Sequence, residues 1–111
     1  MDRLKQYSEI IEKILIQYTL IPYAYGEIKT EFIVDKNAQR YLLINVGWQD
    51  DIRIHGCLVY IEIIGDKIWI QYDGTEDGIA TELVAAGIPK DQIVLGFHPA
   101  EVRPYTDYAV Q

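Results

Sequence analysis

Four segments with the alternating pattern of β-strands follow one another between residues 28 and 72, and only short turns separate them. These segments are 28–34, 41–48, 52–64 and 67–72. Strands that pair parallel need a connection of about a dozen residues or more, usually a helix, whereas antiparallel strands need only a tight turn. The short turns therefore predict that neighbouring strands pair antiparallel in one sheet.

The longest segment, 52–64, changes part-way along which of its faces is apolar. Its apolar residues stand first at even and then at odd positions: Ile52, Ile54, Cys57, Val59, Ile61 and Ile63. One extra residue in a strand, a β-bulge, re-aims the alternation in this way, and glycine in a strand interior often marks it. We therefore predict a bulge at Gly56, with Cys57 as a small residue of the core.

Helical patterns flank the sheet region. Apolar residues spaced three and four apart predict an amphipathic helix over about 2–20, which stops before Pro22 because the residue before proline avoids the α region. A second helical pattern follows the last strand and ends at Gly87, and residues 93–95 form either a fifth strand or an apolar plug. The chain, 1–111, is thus predicted to be a single α+β domain. We expect an N-terminal amphipathic helix, a four- to five-stranded antiparallel sheet and the second helix packed on the same sheet face.

A D-G-T-E-D-G block precedes the second helical pattern. Asp73 or Thr75 can cap the helix, and Glu76 and Asp77 are expected in its first turn, where carboxylates favour the positive end of the helix dipole. The block also begins like a calcium-binding loop, but Val84 stands where such a loop supplies a bidentate glutamate. We therefore interpret the block as a capped helix start.

The charge of the chain limits its partners. It carries 10 Lys and Arg against 17 Asp and Glu, a formal charge of -7, and the excess of acid falls entirely in residues 41–111. Sequence-independent affinity for DNA comes from Lys and Arg that neutralise phosphates, so we expect no direct DNA binding by this chain alone. The acidity either confers solubility or presents an acidic face to a basic partner.

Few residues suggest catalysis or metal binding. His55 and Cys57 form an H-x-C pair, but zinc needs three or four protein ligands, and His98 is the only other histidine. Glu62 and Asp66 resemble part of a nuclease-type metal site, yet they lie at a predicted hairpin, where charged residues are expected anyway. We predict no enzymatic activity, metal or cofactor, and a metal-dependent enzyme that uses either pair stays open as an alternative.

The cellular location is also limited by the sequence. The single cysteine excludes an internal disulfide, which fits a reducing cytoplasm. No apolar run approaches the ~20 residues that cross a bilayer, and the first residues lack the apolar region of a signal peptide. We therefore expect a cytoplasmic protein without a membrane partner.

The chain has more large aromatic residues in its strand segments than a core of this size accommodates, so some are expected on the other face of the sheet. An exposed aromatic patch would mark a contact surface, and a homodimer is one candidate for its occupant. The candidate interaction residues are Trp48, Arg53, His55, Trp69, His98, Arg103 and Tyr105.

Several motifs connect the chain to a known family. They are M-D-R-L-K-Q-Y at 1–7, N-V-G-W at 45–48, H-G-C at 55–57, K-I-W-I-Q-Y-D-G-T-E at 67–76 and V-L-G-F-H-P at 94–99. With these motifs in order, the chain resembles the XisI family, named for the fdxN element excision controlling factor of filamentous cyanobacteria. The resemblance implies an accessory role in programmed DNA excision, in which a site-specific recombinase cuts and joins the DNA and XisI works beside XisH, a nuclease-like protein. The family has no assigned catalytic residues, so none is carried over to this chain.

Charge and resemblance together predict a non-enzymatic regulatory factor that acts through protein partners, an XisH-like protein or the recombinase. Its acidic half would dock on a basic surface of that partner, because complementary charge speeds and specifies association. One alternative is an antitoxin-like inhibitor that masks a nuclease-like partner by imitating the charge of DNA.

Overall fold

The structure, a computed structural model, describes residues 3–21 and 27–111, which contain two α-helices, five strands and two 3-10 helices of three residues each, Lys90–Gln92 and Arg103–Tyr105. The elements are α1 (Arg3–Thr19), β1 (Glu27–Asp35), β2 (Arg40–Gln49), β3 (Ile52–Ile64), β4 (Lys67–Asp73), α2 (Ile79–Ala85) and β5 (Ile93–Leu95). The predicted α+β class is confirmed. Neither described helix has the length and apolar content needed to cross a bilayer. Pro22, the predicted end of the first helix, lies outside the described residues.

The sheet has the strand order β1-β2-β3-β4-β5, so each strand pairs with its neighbour in sequence. The first four strands pair antiparallel, as their short turns predict. The apolar segment that follows α2 is a strand, but it pairs parallel to β4, with Ile68 opposite Ile93, so the sheet is mixed. Residues 74–92 lie between these two strands and include α2, which provides the length that a parallel crossover needs.

The predicted bulge in β3 exists, but it lies at Leu58 rather than at Gly56. Two adjacent residues of β2 lie opposite Val59 and Cys57, which leaves Leu58 as the extra residue. The Leu58 carbonyl accepts a hydrogen bond from the Gly74 N–H at 2.7 Å. The bulge thus lies where β3 contacts the chain beyond β4. The pattern within β3 alone carries no information about such a contact, so it did not predict the position of the bulge.

The position of the bulge changes the environment of Cys57. Since the bulge comes after Cys57, this residue keeps the phase of the first part of β3 and lies, exposed, on the face away from the helices. The prediction that Cys57 belongs to the core is therefore wrong. Val59, Ile61 and Ile63 are buried, as the alternation predicts.

Both helices cover the same face of the sheet, as predicted. The core includes Tyr7, Ile11 and Leu15 of α1, Ile79 and Leu83 of α2, and the inward residues Tyr41, Leu43, Val59, Ile61, Ile68, Ile70 and Ile93 of the sheet. Full burial of one such aliphatic side chain is worth about 1.5–3 kcal/mol, so this shared cluster holds the helices on the sheet. The hydroxyl oxygens of Ser8 and Tyr41 lie 2.6 Å apart, which pairs the polar end of the buried tyrosine.

The second helix is shorter than predicted at its N-terminal end. It begins at Ile79, so Glu76 and Asp77 lie in the turn before the helix, and their predicted place in its first turn is wrong. The residue at the N-cap, Gly78, has no side chain to cap with. The cap comes instead from Asp73, whose Oδ2 accepts the Ile79 N–H at 2.7 Å while its Oδ1 accepts a backbone N–H of the turn at 2.9 Å. The D-G-T-E-D-G block is thus a capped helix start, as predicted.

The chain leaves this helix at Gly87, as predicted. Gly87 has a φ of 108°, in the left-handed region that favours glycine. The N–H groups of Gly87 and Ile88 donate to the carbonyls of Val84 and Leu83 at 3.0 and 3.1 Å. This pair of bonds is the Schellman arrangement, which satisfies carbonyls that the helix itself cannot pair.

Candidate protein-interaction surfaces

The face of the sheet opposite the helices carries a row of apolar side chains along β2. Tyr41 and Leu43 face the helices and are buried. The alternate residues lie on the other face and form what we call the β2 row: Leu42, Ile44, Val46 and Trp48. In an antiparallel sheet with one side in water, that side is usually polar. We call the β2 row, together with the residues opposite it on β1 and β3, the open face.

The strand register places charged residues on both sides of the β2 row. From Trp48 through Val46 to Ile44, the β1 partners are Glu27, Lys29 and Glu31, and the β3 partners are Arg53, His55 and Cys57. Leu42 lies between Ile33 and Tyr60. Opposite residues of paired strands share a face, so the apolar row is flanked by two acids and a lysine on one side and by a guanidinium on the other.

Three of the predicted interaction residues meet at one end of the open face. The guanidinium carbon of Arg53 lies 5.1 Å from the centre of the Trp48 ring, a distance typical of a cation–π contact. His55 follows on the same face of β3 and is exposed. Since Trp48 keeps 47% of its surface exposed, this cluster is accessible to a partner.

Three others, Trp69, His98 and Arg103, meet near the opposite end of the strands. The Arg103 guanidinium carbon is 5.0 Å from the centre of the Trp69 ring, and its Nε donates to the His98 carbonyl at 3.1 Å. These contacts attach the C-terminal segment, residues 96–111, to β4, so this cluster is explained by packing of the chain on itself. Tyr105, 89% exposed, belongs to neither cluster.

The C-terminal segment covers only the β4–β5 part of the outer sheet face. Val94 lies opposite Trp69, on the side away from the helices, yet it is fully buried. Ala109 pairs with Val94 at the free edge of β5, where its N–H donates to the Ile93 carbonyl at 2.9 Å. Arg103 of the same segment lies over the ring of Trp69, the neighbour of Val94 on β4. Within residues 3–21 and 27–111, no comparable segment protects Trp48, which stays about half exposed. The open face is therefore an apolar surface that lacks a cover from the described chain.

A groove runs between α1 and α2 on the other side of the sheet. Its central part, about 420 Å³, is lined by the apolar side chains of Ile10, Ile14 and Ala86 and by Lys13. Its wider part, about 610 Å³, shares Gln17 and Glu82 with the central part. We call the two parts together the helix groove.

The wide part of the helix groove has an acidic rim. Its charged lining residues are Asp77 and Glu82, with no Lys or Arg among the described residues that line it. The hydroxyl of Tyr18 donates a hydrogen bond to the Glu82 carboxylate. Burial, this hydrogen bond and the surrounding carboxylates raise the pKa of Tyr18 well above its ordinary value. The ion pairs found between described residues do not involve Asp77 or Glu82, so the rim stays negative.

Comparison with known proteins identifies the family of the chain. The family model described as XisI protein matches residues 1–110. The chain belongs to the XisI family. A XisI-like protein from Anabaena variabilis is 36% identical, with a TM-score of 0.89 over 97% of this chain and 99% of that one. The fdxN element excision controlling factor XisI from the same organism is 32% identical, with a TM-score of 0.83 over 99% of this chain and 100% of that one. Among curated proteins, no significant match is found.

Membership in the XisI family supports a regulatory role. The second of these relatives is described as a factor that controls excision, and this description refers to regulation rather than to a catalysed reaction. The family resemblance predicted from the motifs is confirmed. The partner proteins of this XisI-family member stay predictions.

The H-x-C pair of this XisI-family chain shows no catalytic activation. His55 and Cys57 share the open face, and the Cys57 Sγ donates a hydrogen bond to the Val59 carbonyl at 3.3 Å. Partial loss of water around the sulfur is the main reason that the pKa of the Cys57 thiol is raised. A protonated thiol is a weak nucleophile and a poor metal ligand. In the described parts of the chain, no three or more His, Cys, Asp or Glu side chains are grouped to hold a metal ion.

Glu62, which with Asp66 formed the other candidate metal pair, is engaged in contacts within the sheet. The Arg40 Nε donates to its Oε2 at 3.2 Å, and the Gln71 Nε2 to its Oε1 at 3.4 Å. The hydrogen bond to Glu62 is also the main reason that the pKa of Arg40 is raised. The carboxylate therefore cross-links β2, β3 and β4.

Sequence reasoning did not select three members of the β2 row, Leu42, Ile44 and Val46, as interaction residues. The signal was present, since the segment 41–48 has apolar residues at both parities, with Tyr41 and Leu43 on the other face. Helices cover only one face of this strand, so one apolar set had to be left without them.

Proposed function

We propose that this XisI-family protein is a non-enzymatic accessory factor of programmed DNA excision and that it works by binding another protein. The partner we propose is an XisH-like protein or a site-specific recombinase, which binds through a basic, partly apolar segment. Family membership and the relative described as an excision controlling factor support this role.

The observation that carries the proposal is the helix groove. Its wide part combines apolar surface from Ile21 and Ala85 with the rim carboxylates of Asp77 and Glu82. A basic amphipathic segment would place its apolar side chains on that surface and its Lys or Arg side chains at the rim, as in other helix-in-groove complexes. Opposite charge at the rim would also steer the two proteins together.

The distribution of basic side chains favours a protein partner over DNA. Lys29, Lys36, Arg40 and Lys90 each pair with a carboxylate, and Arg53 and Arg103 lie against tryptophan rings. DNA binding draws its affinity from several Lys and Arg side chains that neutralise phosphates together. These six of the ten basic side chains are paired and dispersed, so they are poorly placed for that task.

Co-purification from cells tests the proposal. The tagged protein is expressed with untagged XisH-like and recombinase neighbours. A groove variant, Asp77→Asn with Glu82→Gln, is compared with a turn variant, Asp50→Asn with Asp51→Asn, which loses the same charge between β2 and β3. We expect the wild type and the turn variant to retain a partner, and the groove variant to bind it at least ~10-fold more weakly.

Two results would overturn the proposal. One is tight binding of the isolated protein to bare DNA in a gel shift at low salt. The other is an equal loss of partner in the groove and turn variants. Toxicity of the partner alone, relieved by co-expression of this protein, would reject an excision factor in favour of the antitoxin-like role.

A further inference from the structure

The open face presents an apolar centre that the described chain does not cover. Trp48 is 47% exposed and Ile33 is 44% exposed, with the half-buried Ile44 and Val46 between them. A contiguous apolar surface of this kind on a soluble protein usually marks an interaction site. Aromatic side chains such as Trp48 are the residue type that most often anchors such interfaces.

The charge of the open face sets it apart from the rest of the chain. The two acids beside the β2 row, Glu27 and Glu31, are balanced by Lys29 and Arg53, whereas the whole chain carries -7. Two copies of a chain with this charge repel one another over most of their surfaces. The open face is a region where that repulsion is absent.

The positions of these charges are also self-complementary. Glu27 and Arg53 lie on opposite sides of the β2 row, and both are opposite Trp48. A two-fold axis parallel to β2 preserves position along the strand and exchanges the two sides of the row. Such an axis therefore brings Glu27 of one copy over Arg53 of the other, and the same contact occurs twice, as in any isologous dimer.

We propose that the open face is the interface of a homodimer, in which the β2 rows of two copies pack together and Glu27 of each copy pairs with Arg53 of the other. The two sheets stack face to face about 10 Å apart, with Trp48 near the axis. A basic partner would meet Arg53 on this face, and a polyanion would meet Glu27, so a second copy fits it better than either. The helix grooves stay on the outer sides of the dimer, so this inference does not depend on the proposed function.

Sedimentation velocity over about 1 to 100 μM protein tests the dimer. We expect the wild type to shift from monomer to dimer with concentration, and Val46→Asp to stay monomeric. The matched control is Ile16→Asp, which places the same charge on an exposed position of α1 and should still dimerise. Circular dichroism and thermal unfolding of both variants show that each has folded. A wild type that stays monomeric, or a folded Val46→Asp variant that still dimerises, would overturn the proposal.

A charge exchange tests the orientation of the two copies. We expect Glu27→Arg and Arg53→Glu each to raise the dimer dissociation constant about tenfold, and the double variant to restore it. Failure of the double variant to recover would reject the two-fold axis along β2.

The chain's single thiol reports on the same face. Cys57 lies beside Ile44, so its reaction with a maleimide should slow as the wild type dimerises and should not change with concentration in Val46→Asp. Partner co-purification distinguishes this inference from the proposed function, since Val46→Asp should still retain the partner. If the wild type stayed monomeric and Val46→Asp lost the partner, the open face would bind that partner and the homodimer would be overturned.

Discussion

The two faces of β2 differ in burial although both carry large apolar side chains. On β2, Tyr41 and Leu43 face the helices and are 1% and 0% exposed, whereas Trp48 on the other face is 47% exposed. The same contrast holds within the outer face, where Val94 is fully buried next to Trp69, the ring on which Arg103 of the C-terminal segment lies. Strand composition therefore does not decide burial. A side chain is buried where another element of the chain, or another molecule, covers it.

The largest expected effect separates the two faces directly. Leu43→Ala deletes a fully buried side chain and leaves a cavity, so we expect a loss of about 2–5 kcal/mol in the free energy of unfolding. Val46→Ala removes a half-buried side chain from the other face and should cost less than about 1 kcal/mol. Urea denaturation at low protein concentration, where any dimer dissociates, measures both variants. Equal losses would show that the open face is as well covered as the core.

A smaller loss of stability is expected at the start of α2, where Asp73 of β4 caps the helix. Asp73→Ala removes the carboxylate that accepts the Ile79 N–H, so the protein should lose about 1–2 kcal/mol of stability. Glu76→Ala, in the same turn, removes an exposed carboxylate and should change stability by no more than about 0.5 kcal/mol. Thermal unfolding of the two variants measures the difference. If both variants behaved alike, the cap would not depend on Asp73.

The smallest expected effect is a dependence of stability on pH that arises from Tyr18, at the acidic rim of the helix groove. Tyr18 has a raised pKa in the folded protein because of burial, its hydrogen bond to Glu82 and nearby carboxylate charge. Above a pH of ~10 the unfolded chain loses the tyrosine proton while the folded protein retains it, so stability falls as the pH rises. Tyr18→Phe should therefore lose less stability than the wild type between neutral and strongly alkaline pH, as measured by urea denaturation. If the free energy of unfolding fell equally with pH in the two proteins, the fold would not be keeping Tyr18 protonated.

Most of the fold could be predicted from local patterns, because alternation, helical spacing and turn length are properties of short segments. The strand predicted over 52–64 has the same bounds as β3, and the predicted halt at Gly87 reflects the left-handed conformation there. The bulge position and the parallel pairing of β5 could not be predicted in this way. Both depend on contacts between distant segments, such as the Gly74 N–H on the Leu58 carbonyl.

The candidate site was predicted by residue type more successfully than by arrangement. Trp48, Arg53 and His55 do lie together, since the register of β2 and β3 makes them neighbours. Trp69, His98 and Arg103 also meet, but their contacts fold the C-terminal segment onto the chain itself. The sequence does not distinguish an arginine on a surface open to a partner from one whose contacts hold the chain's own segments together.

The sequence by itself determined the α+β class, the antiparallel order of the first four strands, the family and the acidity that disfavours DNA. These follow from short-range periodicity, from motifs and from a count of charges, none of which requires a folded chain. The tertiary structure alone decided which apolar residues became core and which became surface. That outcome depends on where the two helices and the C-terminal segment come to lie, and they cover one face of the sheet and only the β4–β5 part of the other.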